Sequence, residues 1–292
     1  MPHAAVLPRK AGSDLFYGLL AVSLLGATGI QYAINGFSAL ACLWQYPLLT
    51  AGLLLAQVLL FLLVLFVSTL FVNPKKMVEK PSLYFRFMLN QFCRLALFLG
   101  GVRVYVTGLE KVPRQSRFML ISNHAFAFDP LIYYYAMPWA DLAFLAKKES
   151  FSIFVVAQIM REVLCLPLDR ENDREALKAI LKAIQFIREG KCSFAVFPEG
   201  GTNKTSEDLL PFRNGAFKIA QKAHVPIVVC ALVNSKAILK NMFRRHTDVY
   251  LDVLDVIPPE EFESLRTVEI GDRAHDILLC GLKKRKAALA IQ

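Results

Sequence analysis

The sequence predicts an α/β protein in which an N-terminal transmembrane helical hairpin precedes a domain with a mostly buried mixed sheet flanked by helices. Two observations carry this prediction. No charged residue occurs between Asp14 and Lys75, and this stretch contains two apolar runs, each long enough to cross a hydrocarbon core of about 30 Å. Beyond Gly101, β-rich runs alternate with a helical spacing of apolar residues, which is typical of helices packed on a sheet.

Residues 1–77 are predicted to be a membrane anchor whose two helices lie in the runs 15–34 and 48–72. Glycine and polar residues dilute the first run, so a hairpin that enters only one leaflet is a second interpretation. A buried hairpin of a soluble protein is a weaker alternative, because the second run is almost continuously apolar. A cleavable signal peptide is not favoured, since a second run follows the first.

The flanking charges predict the topology of this hairpin. Arg9 and Lys10 precede the first run, Lys75 and Lys76 follow the second, and the connecting residues 35–46 are uncharged. Because positive residues stay on the cytosolic side of a membrane, both ends of the hairpin and the whole following domain are expected in the cytosol.

Residues 78–100 form a third apolar segment, which Arg86 and Arg94 interrupt. These charges leave two interpretations, an amphipathic helix at the membrane interface or a helix packed on the sheet. Residues 101–292 are predicted to form one cytosol-facing domain, with a helix over residues 172–188 that Asn172 or Asp173 caps and Gly190 ends. The predicted strands are residues 102–107, 118–122, 142–146, 163–168, 193–197, 227–232 and 249–256.

Composition excludes several classes of protein. The six cysteines form no C-x-x-C pair, so neither a disulfide framework nor a metal site is expected. The net charge of +10 is compatible with nucleic acid, but no groove-reading or base-stacking motif accompanies it. An anionic membrane surface and a polyphosphate ligand explain this charge better.

The run SNHAFAFDP carries the clearest chemistry. It places His124 after a predicted strand and Asp129 at the start of a predicted helix, with Pro130 in the first turn. The carboxylate can then hold one imidazole nitrogen while the other acts as a general base, which is a catalytic triad without its serine. Taken alone, the spacing favours a purely structural interpretation, in which the Asp caps the helix and the His has no function. Asn123 either donates to an oxyanion or shapes the turn.

A second motif ends the predicted strand 193–197 in a glycine-rich turn. Such a turn lets the backbone approach a ligand closely, and its amides can cradle an anion. The Glu199 carboxylate would repel phosphate but could hold an acceptor hydroxyl. The structural alternative is an ordinary tight turn with a Glu at the surface. The residues of this motif are Phe197, Pro198, Glu199, Gly200, Gly201 and Thr202.

Together with LPLDR at 166–170, LPFRNGAF at 210–217 and VPIV at 225–228, these motifs resemble the four blocks of the glycerolipid acyltransferase family. That family includes 1-acylglycerol-3-phosphate O-acyltransferases and lysophospholipid acyltransferases, and the resemblance covers about residues 100–235. It implies transfer of a fatty acyl group from acyl-coenzyme A, or from acyl carrier protein, to the free hydroxyl of a lysophospholipid. His124 would be the base and Asp129 its orienting partner, with no cofactor beyond the acyl donor and no metal. The residues 197–200 correspond to the acceptor block of the family.

The third block departs from the usual F-P-E-G-T-R of lysophosphatidic acid acyltransferases. Gly201 is added, and Asn203 follows Thr202 where the family has Arg, an ending closer to lysophosphatidylcholine-type members. Lys204 or Arg213 could supply the missing charge, and Arg170 of the second block is a further candidate phosphate ligand.

The resemblance to the family implies 1-acylglycerol-3-phosphate as the leading acceptor, which would give phosphatidic acid, and the departure in the third block counts against it. The alternatives are another lysophospholipid such as lysophosphatidylcholine, a catalytically silent membrane-binding relative, or a lipid hydrolase. If the acceptor is lysophosphatidic acid, an Asn203→Arg substitution is expected to preserve or improve its use. The implied location is the endoplasmic reticulum of a eukaryote or the inner membrane of a bacterium; the sequence gives no oligomeric state.

Overall fold

A computed structural model describes residues 12–36, 39–74, 78–169, 171–242 and 244–289. Its contacts divide the chain into a helical unit, Gly12–Lys76, and a second unit that contains Met77–Gln292. The helical unit consists of α1, Ser13–Asn35, and α2, Ala39–Leu70. Both helices are long and apolar enough to cross a membrane, and little of either is buried, so neither resembles the core helix of a soluble protein.

Polar side chains join the two helices of this unit. The Gln57 side-chain amide donates to the Ser23 hydroxyl at 2.7 Å, and the hydroxyls of Thr28 and Tyr46 lie 3.1 Å apart. A side chain at Gly26 would crowd Leu53 of α2, so this glycine permits a close approach. Small residues and interhelical hydrogen bonds are the usual means by which helices associate in lipid.

The second unit is a seven-stranded mixed sheet with helices packed against it, as the sequence predicts. The strands are β1 Val102–Thr107, β2 Met119–Ser122, β3 Leu142–Lys147, β4 Leu166–Leu168, β5 Ser193–Val196, β6 Ile227–Val233 and β7 Thr247–Ile257. The helices are α3 Leu83–Leu99, α4 Asp129–Ala136, α5 Phe154–Glu162, α6 Asp173–Arg188, α7 Lys218–Ala223, α8 Ala237–Asn241 and α9 Thr267–Leu289.

The strand order is β1-β7-β6-β2-β5-β3-β4. Strands β6, β2, β5, β3 and β4 are parallel, β7 is antiparallel to β6, and β1 is parallel to β7. Every residue of β2, β5 and β6 is buried, which is why these strands are continuous apolar runs rather than alternating ones. Because they are parallel, their carboxyl ends meet at one edge of the sheet, where ligands of open α/β sheets usually bind.

Two predicted elements can be compared closely with the structure. The helix predicted over 172–188 is α6, and the Asn172 side chain caps it by accepting from the N–H groups of Arg174 and Glu175. The strand predicted over 163–168 begins only at Leu166. Its first residues instead close the end of α5, since the Cys165 N–H donates to the Met160 carbonyl at 2.8 Å.

Helix α3 combines features of both interpretations of residues 78–100. Phe85, Met88 and Leu95 are among its buried residues, and they pack within the unit that holds the sheet. Leu83 and Phe87, however, are 81% and 60% exposed. An interfacial role for this exposed face stays a prediction.

Candidate active site

The loop between β2 and α4 brings His124 and Asp129 together at the carboxyl edge of the sheet. His124 Nδ1 lies 3.0 Å from Asp129 Oδ2, and no described residue is bonded to Nε2. The imidazole is 16% exposed, whereas the carboxylate is fully buried. The second ring nitrogen is therefore available to a substrate proton at the sheet edge, which is the geometry of an oriented general base.

A single oxygen of Asp129 organises the whole loop. Besides the imidazole, Oδ2 accepts the backbone N–H groups of Ala125 and Phe126, both at 2.8 Å. Oδ1 is buried and has no hydrogen-bond partner among the described residues. The carboxylate thus orients His124 and holds the loop that precedes α4, but it accepts no N–H group of that helix, which has no side-chain cap. The expectation that Asp129 caps the helix is therefore wrong, whereas its pairing with His124 is present.

The ring of Phe197 supports the imidazole from one side. Phe197 follows β5, and its ring is stacked on that of His124 with centroids 4.3 Å apart and an interplanar angle of 12°. Behind it, Phe144 of β3 stacks on Phe197 at 5.8 Å, and Tyr133 of α4 meets it edge-on. This aromatic column fixes the plane of the imidazole.

Glu199 joins the histidine loop to the loop that follows β5. Its Oε1 accepts the His124 backbone N–H at 2.6 Å, and its Oε2 accepts the Leu210 N–H at 2.9 Å. The side chain is buried, and this burial raises the pKa of Glu199, although the two N–H donors act in the opposite direction. Because each oxygen accepts a backbone N–H, Glu199 ties the two loops together; a contact with the acceptor hydroxyl stays a prediction.

Asn203 shapes the same loop from within. Its side-chain oxygen accepts the N–H and hydroxyl of Thr205, and its amide donates to the Glu207 carbonyl. Its backbone N–H donates to the His124 carbonyl at 2.7 Å. With only 4% of the residue exposed, Asn203 is a structural residue, so the expectation that an Arg here would simply restore a headgroup contact does not fit this loop.

Arg213 lies over the glycine-rich turn. Gly200 has a φ of 77°, a conformation that favours glycine, and a Cβ at this position would be 2.6 Å from Arg213 Nε, so the Arg213 side chain lies close against the turn. The Arg213 N–H donates to the Pro198 carbonyl at 2.8 Å. Its exposed guanidinium makes no hydrogen bond or ion pair with a described residue, which leaves a cation uncommitted beside the turn.

The other predicted contact residues differ in their placement. Asn123 is buried and pairs with the backbone of Leu232, donating to its carbonyl and accepting its N–H, both at 2.8 Å. This pairing continues the β2–β6 ladder and favours the turn-shaping interpretation over the oxyanion one. Gly201 and Thr202 are half-buried, and Lys204 is exposed. Arg170 lies outside the described residues.

Two hydrogen bonds were not predicted from the sequence, a buried one between Tyr133 and Ser122 and one between Lys286 and Asp208. The Tyr133 hydroxyl donates to Ser122 at the end of β2, and burial raises the pKa of Tyr133 well above its ordinary value, so it stays a donor. Lys286 near the end of α9 bonds Asp208 in the loop after β5. Neither pair has a local signature, because its partners lie in different elements, 11 residues apart in the first pair and 78 in the second.

Within the described residues, no group of three or more His, Cys, Asp or Glu side chains is arranged to hold a metal ion. The site instead combines an oriented imidazole, an uncommitted guanidinium and a glycine turn. It can accept a proton from a hydroxyl and bind an anionic group close by.

Comparison with known proteins agrees with this chemistry. A family model described as Acyltransferase matches residues 103–233. The chain is 32% identical over 183 residues to the 1-acyl-sn-glycerol-3-phosphate acyltransferase of Borreliella burgdorferi, covering 61% of this chain and 72% of that protein. It is 33% identical over 159 residues to the probable 1-acyl-sn-glycerol-3-phosphate acyltransferase of Mycoplasma pneumoniae, covering 53% of this chain and 58% of that protein.

A solved structure is similar over most of the chain. The crystal structure of the 1-acyl-sn-glycerophosphate (LPA) acyltransferase, PlsC, from Thermotoga maritima superposes with a TM-score of 0.58 at 21% identity, covering 92% of this chain and 98% of that one. At this level of identity the likeness concerns the fold.

Proposed function

This chain belongs to the glycerolipid acyltransferase family, and from that premise we propose that it transfers a fatty acyl group from acyl-coenzyme A or acyl carrier protein to the free hydroxyl of 1-acylglycerol-3-phosphate, giving phosphatidic acid. The observation that carries this proposal is the His124–Asp129 pair, with Nδ1 held at 3.0 Å and Nε2 directed to no described partner. The named relatives support the acceptor class.

The proposed reaction proceeds without a covalent enzyme intermediate. His124 Nε2 takes the proton of the acceptor hydroxyl as its oxygen attacks the thioester carbonyl carbon. The buried Asp129 carboxylate stabilises the imidazolium that forms. Collapse of the tetrahedral intermediate breaks the carbon–sulfur bond and expels the thiolate, which receives the proton from the imidazolium. Since a thiolate leaves readily, the reaction needs only the acyl donor as co-substrate.

Arg213 is the proposed ligand of the acceptor phosphate. Its guanidinium lies against Gly200, in the block whose usual Arg this chain lacks, and a planar fork suits phosphate oxygens. Lys204, exposed on the same loop, is a second candidate. A role for Arg170 stays a prediction.

Membrane anchoring by α1 and α2, with the catalytic unit in the cytosol, completes the proposal. It is supported by the length and composition of the two helices and by the basic residues that flank them in the sequence. Their exposed apolar surfaces would lie among lipid acyl chains, so the enzyme would reside where its acceptor is found.

The second candidate is an acyltransferase for a zwitterionic lysophospholipid, which the Thr202-Asn203 ending suggested. The internal bonds of the Asn203 side chain weaken this candidate, because that residue is committed to the loop.

The test is an assay of the purified full-length protein in detergent with labelled acyl-coenzyme A. Lysophosphatidic acid, lysophosphatidylcholine and water compete as acceptors, and a His124→Ala variant serves as the control. Dominant formation of phosphatidic acid that the control lacks is the expected result. Preferred use of lysophosphatidylcholine would favour the second candidate, and release of free fatty acid would favour a hydrolase. No turnover would favour a catalytically silent relative.

A further inference from the structure

The connection between β6 and β7 is strongly basic. Residues 234–246 contain Lys236, Lys240, Arg244 and Arg245 and no acidic residue, and they follow directly after the region matched by the family model. All four cations are exposed. Arg245 donates to the neutral Asn241 side chain, and the other three have no hydrogen bond or ion pair to a described residue. This segment therefore presents four positive charges that no described acidic side chain neutralises.

The basic run near the end of α9 behaves differently. It consists of Lys283, Lys284, Arg285 and Lys286. Arg285 bonds Asp252 and Lys286 bonds Asp208, so two of these four cations hold the fold. Of the four cations between β6 and β7, Arg245 bonds the neutral Asn241 side chain, and no described carboxylate pairs with any of the four.

Topology places this basic connection at the carboxyl edge of the sheet, which is the catalytic edge because His124 and Asp129 lie there. Strand β6 is parallel to β2 and ends beside it, and Asn123 bonds the backbone of Leu232 near that end. Strand β7 begins at the same edge because it is antiparallel to β6. The Thr247 N–H donates to the Gly101 carbonyl at 3.1 Å, which brings the end of α3 against the connection.

Exposed apolar side chains lie among these charges. Leu239 in α8 is 61% exposed, and Leu99 at the end of α3 is 53% exposed. A phosphate ligand would gain nothing from them, whereas a lipid interface buries leucines while its anionic headgroups attract the cations. The combination of charge and exposed leucine favours a lipid surface over the phosphates of a soluble acyl donor.

We propose that this surface docks on anionic lipid headgroups and thereby holds the catalytic edge at the bilayer that supplies the acceptor. The inference rests on the proposed function for its membrane setting. Each cation near an anionic surface strengthens binding by about fivefold, so reversing two of them should weaken docking by well over an order of magnitude. The surface consists of Lys236, Lys240, Arg244, Arg245, Leu99 and Leu239.

The test measures amide hydrogen exchange of the full-length protein in lipid nanodiscs. Residues 236–245 should exchange more slowly in discs that contain phosphatidylglycerol than in discs of phosphatidylcholine alone. At 1 M salt, where the Debye length falls to about 3 Å, this protection should disappear. A Lys240→Glu/Arg244→Glu variant should lose the response to phosphatidylglycerol.

A Lys222→Glu/Arg266→Glu variant is the matched control. Both residues are exposed, and they lie at the opposite edge, because Lys222 precedes β6 and Arg266 follows β7. This variant should keep the protection. Equal responses of the two variants, or no response of the wild type to phosphatidylglycerol, would overturn the proposal. It would also be overturned if coenzyme A protects residues 236–245 in phosphatidylcholine discs while phosphatidylglycerol gives no protection. Acyl transfer measured in parallel separates the two hypotheses: lost transfer with an intact lipid response would contradict the proposed function alone.

Discussion

Replacing Asp129 with Asn separates the electrostatic task of this residue from its structural one. The Asn oxygen can occupy the position of Oδ2, where it keeps both backbone N–H donors and His124 Nδ1. The new amide then replaces Oδ1, which has no partner among the described residues. What is lost is the negative charge that stabilises the imidazolium. A hydrogen bond to a charged group contributes about 1.5–3 kcal/mol, so kcat should fall by about one to two decades.

Asp129→Ala should be more damaging to the fold than Asp129→Asn. It leaves the N–H groups of Ala125 and Phe126 without their acceptor in a half-buried loop, and an unsatisfied donor costs up to about 1–3 kcal/mol where it is buried. Thermal unfolding should therefore distinguish the two variants, with the Asn variant close to wild type.

The assay is single-turnover acyl transfer by wild type, Asp129→Asn, His124→Ala and the double variant. His124→Ala alone should lower the rate by about two to four decades, and adding Asp129→Asn should lower it little further, because residues that act as a unit are not additive. The reasoning is refuted if Asp129→Asn keeps the wild-type rate, or if it lowers the residual rate of His124→Ala by its full single-variant factor.

Other substitutions test the surrounding loops. Arg213→Ala should raise KM for lysophosphatidic acid by about one to two decades and leave KM of the acyl donor nearly unchanged; equal changes would place the phosphate elsewhere. Phe197→Leu should lower kcat by about two- to tenfold through lost stacking, and Phe197→Tyr should restore it; a rate that does not depend on the ring would exclude a positioning role. Asn203→Arg should lower the melting temperature, because a cation replaces a buried, bonded amide; unchanged melting with better use of lysophosphatidic acid would show that the loop accommodates it. Since burial raises the pKa of Glu199 above its ordinary value, wild type should lose stability relative to Glu199→Gln as pH rises from the ordinary value through the raised one; a widening advantage of wild type in thermal melts would contradict this.

The parts of the fold that the sequence predicted are those determined by local pattern. The central strands are apolar runs because both of their faces are buried, and α6 is predictable from its apolar spacing and its Asn172 cap. Strand order is not local: β7 lies between β1 and β6, a pairing between segments far apart in the chain that no periodicity encodes.

The candidate site divides in the same way. The His124–Asp129 pair was predictable because strand and helix signals fix the geometry of the short loop between them. The task of Glu199 was not, because its partners are backbone N–H groups of His124 and Leu210, and any residue supplies a backbone N–H. The approach of Arg213 to Gly200 had only an indirect signal, a glycine in the turn that precedes the LPFRNGAF block.

The long-range bonds of the histidine loop imply an order of events during synthesis. Glu199 lies 75 residues after His124, so at about 5–20 residues per second it follows on the ribosome by roughly 4–15 s. The delay between β1 and its partner strand is longer, since Thr107 bonds Asp252, which is synthesised 145 residues later. A nascent chain released before β7 would carry every acyltransferase motif and still leave β1 without its partner strand, so activity should appear only after nearly the whole chain has been translated.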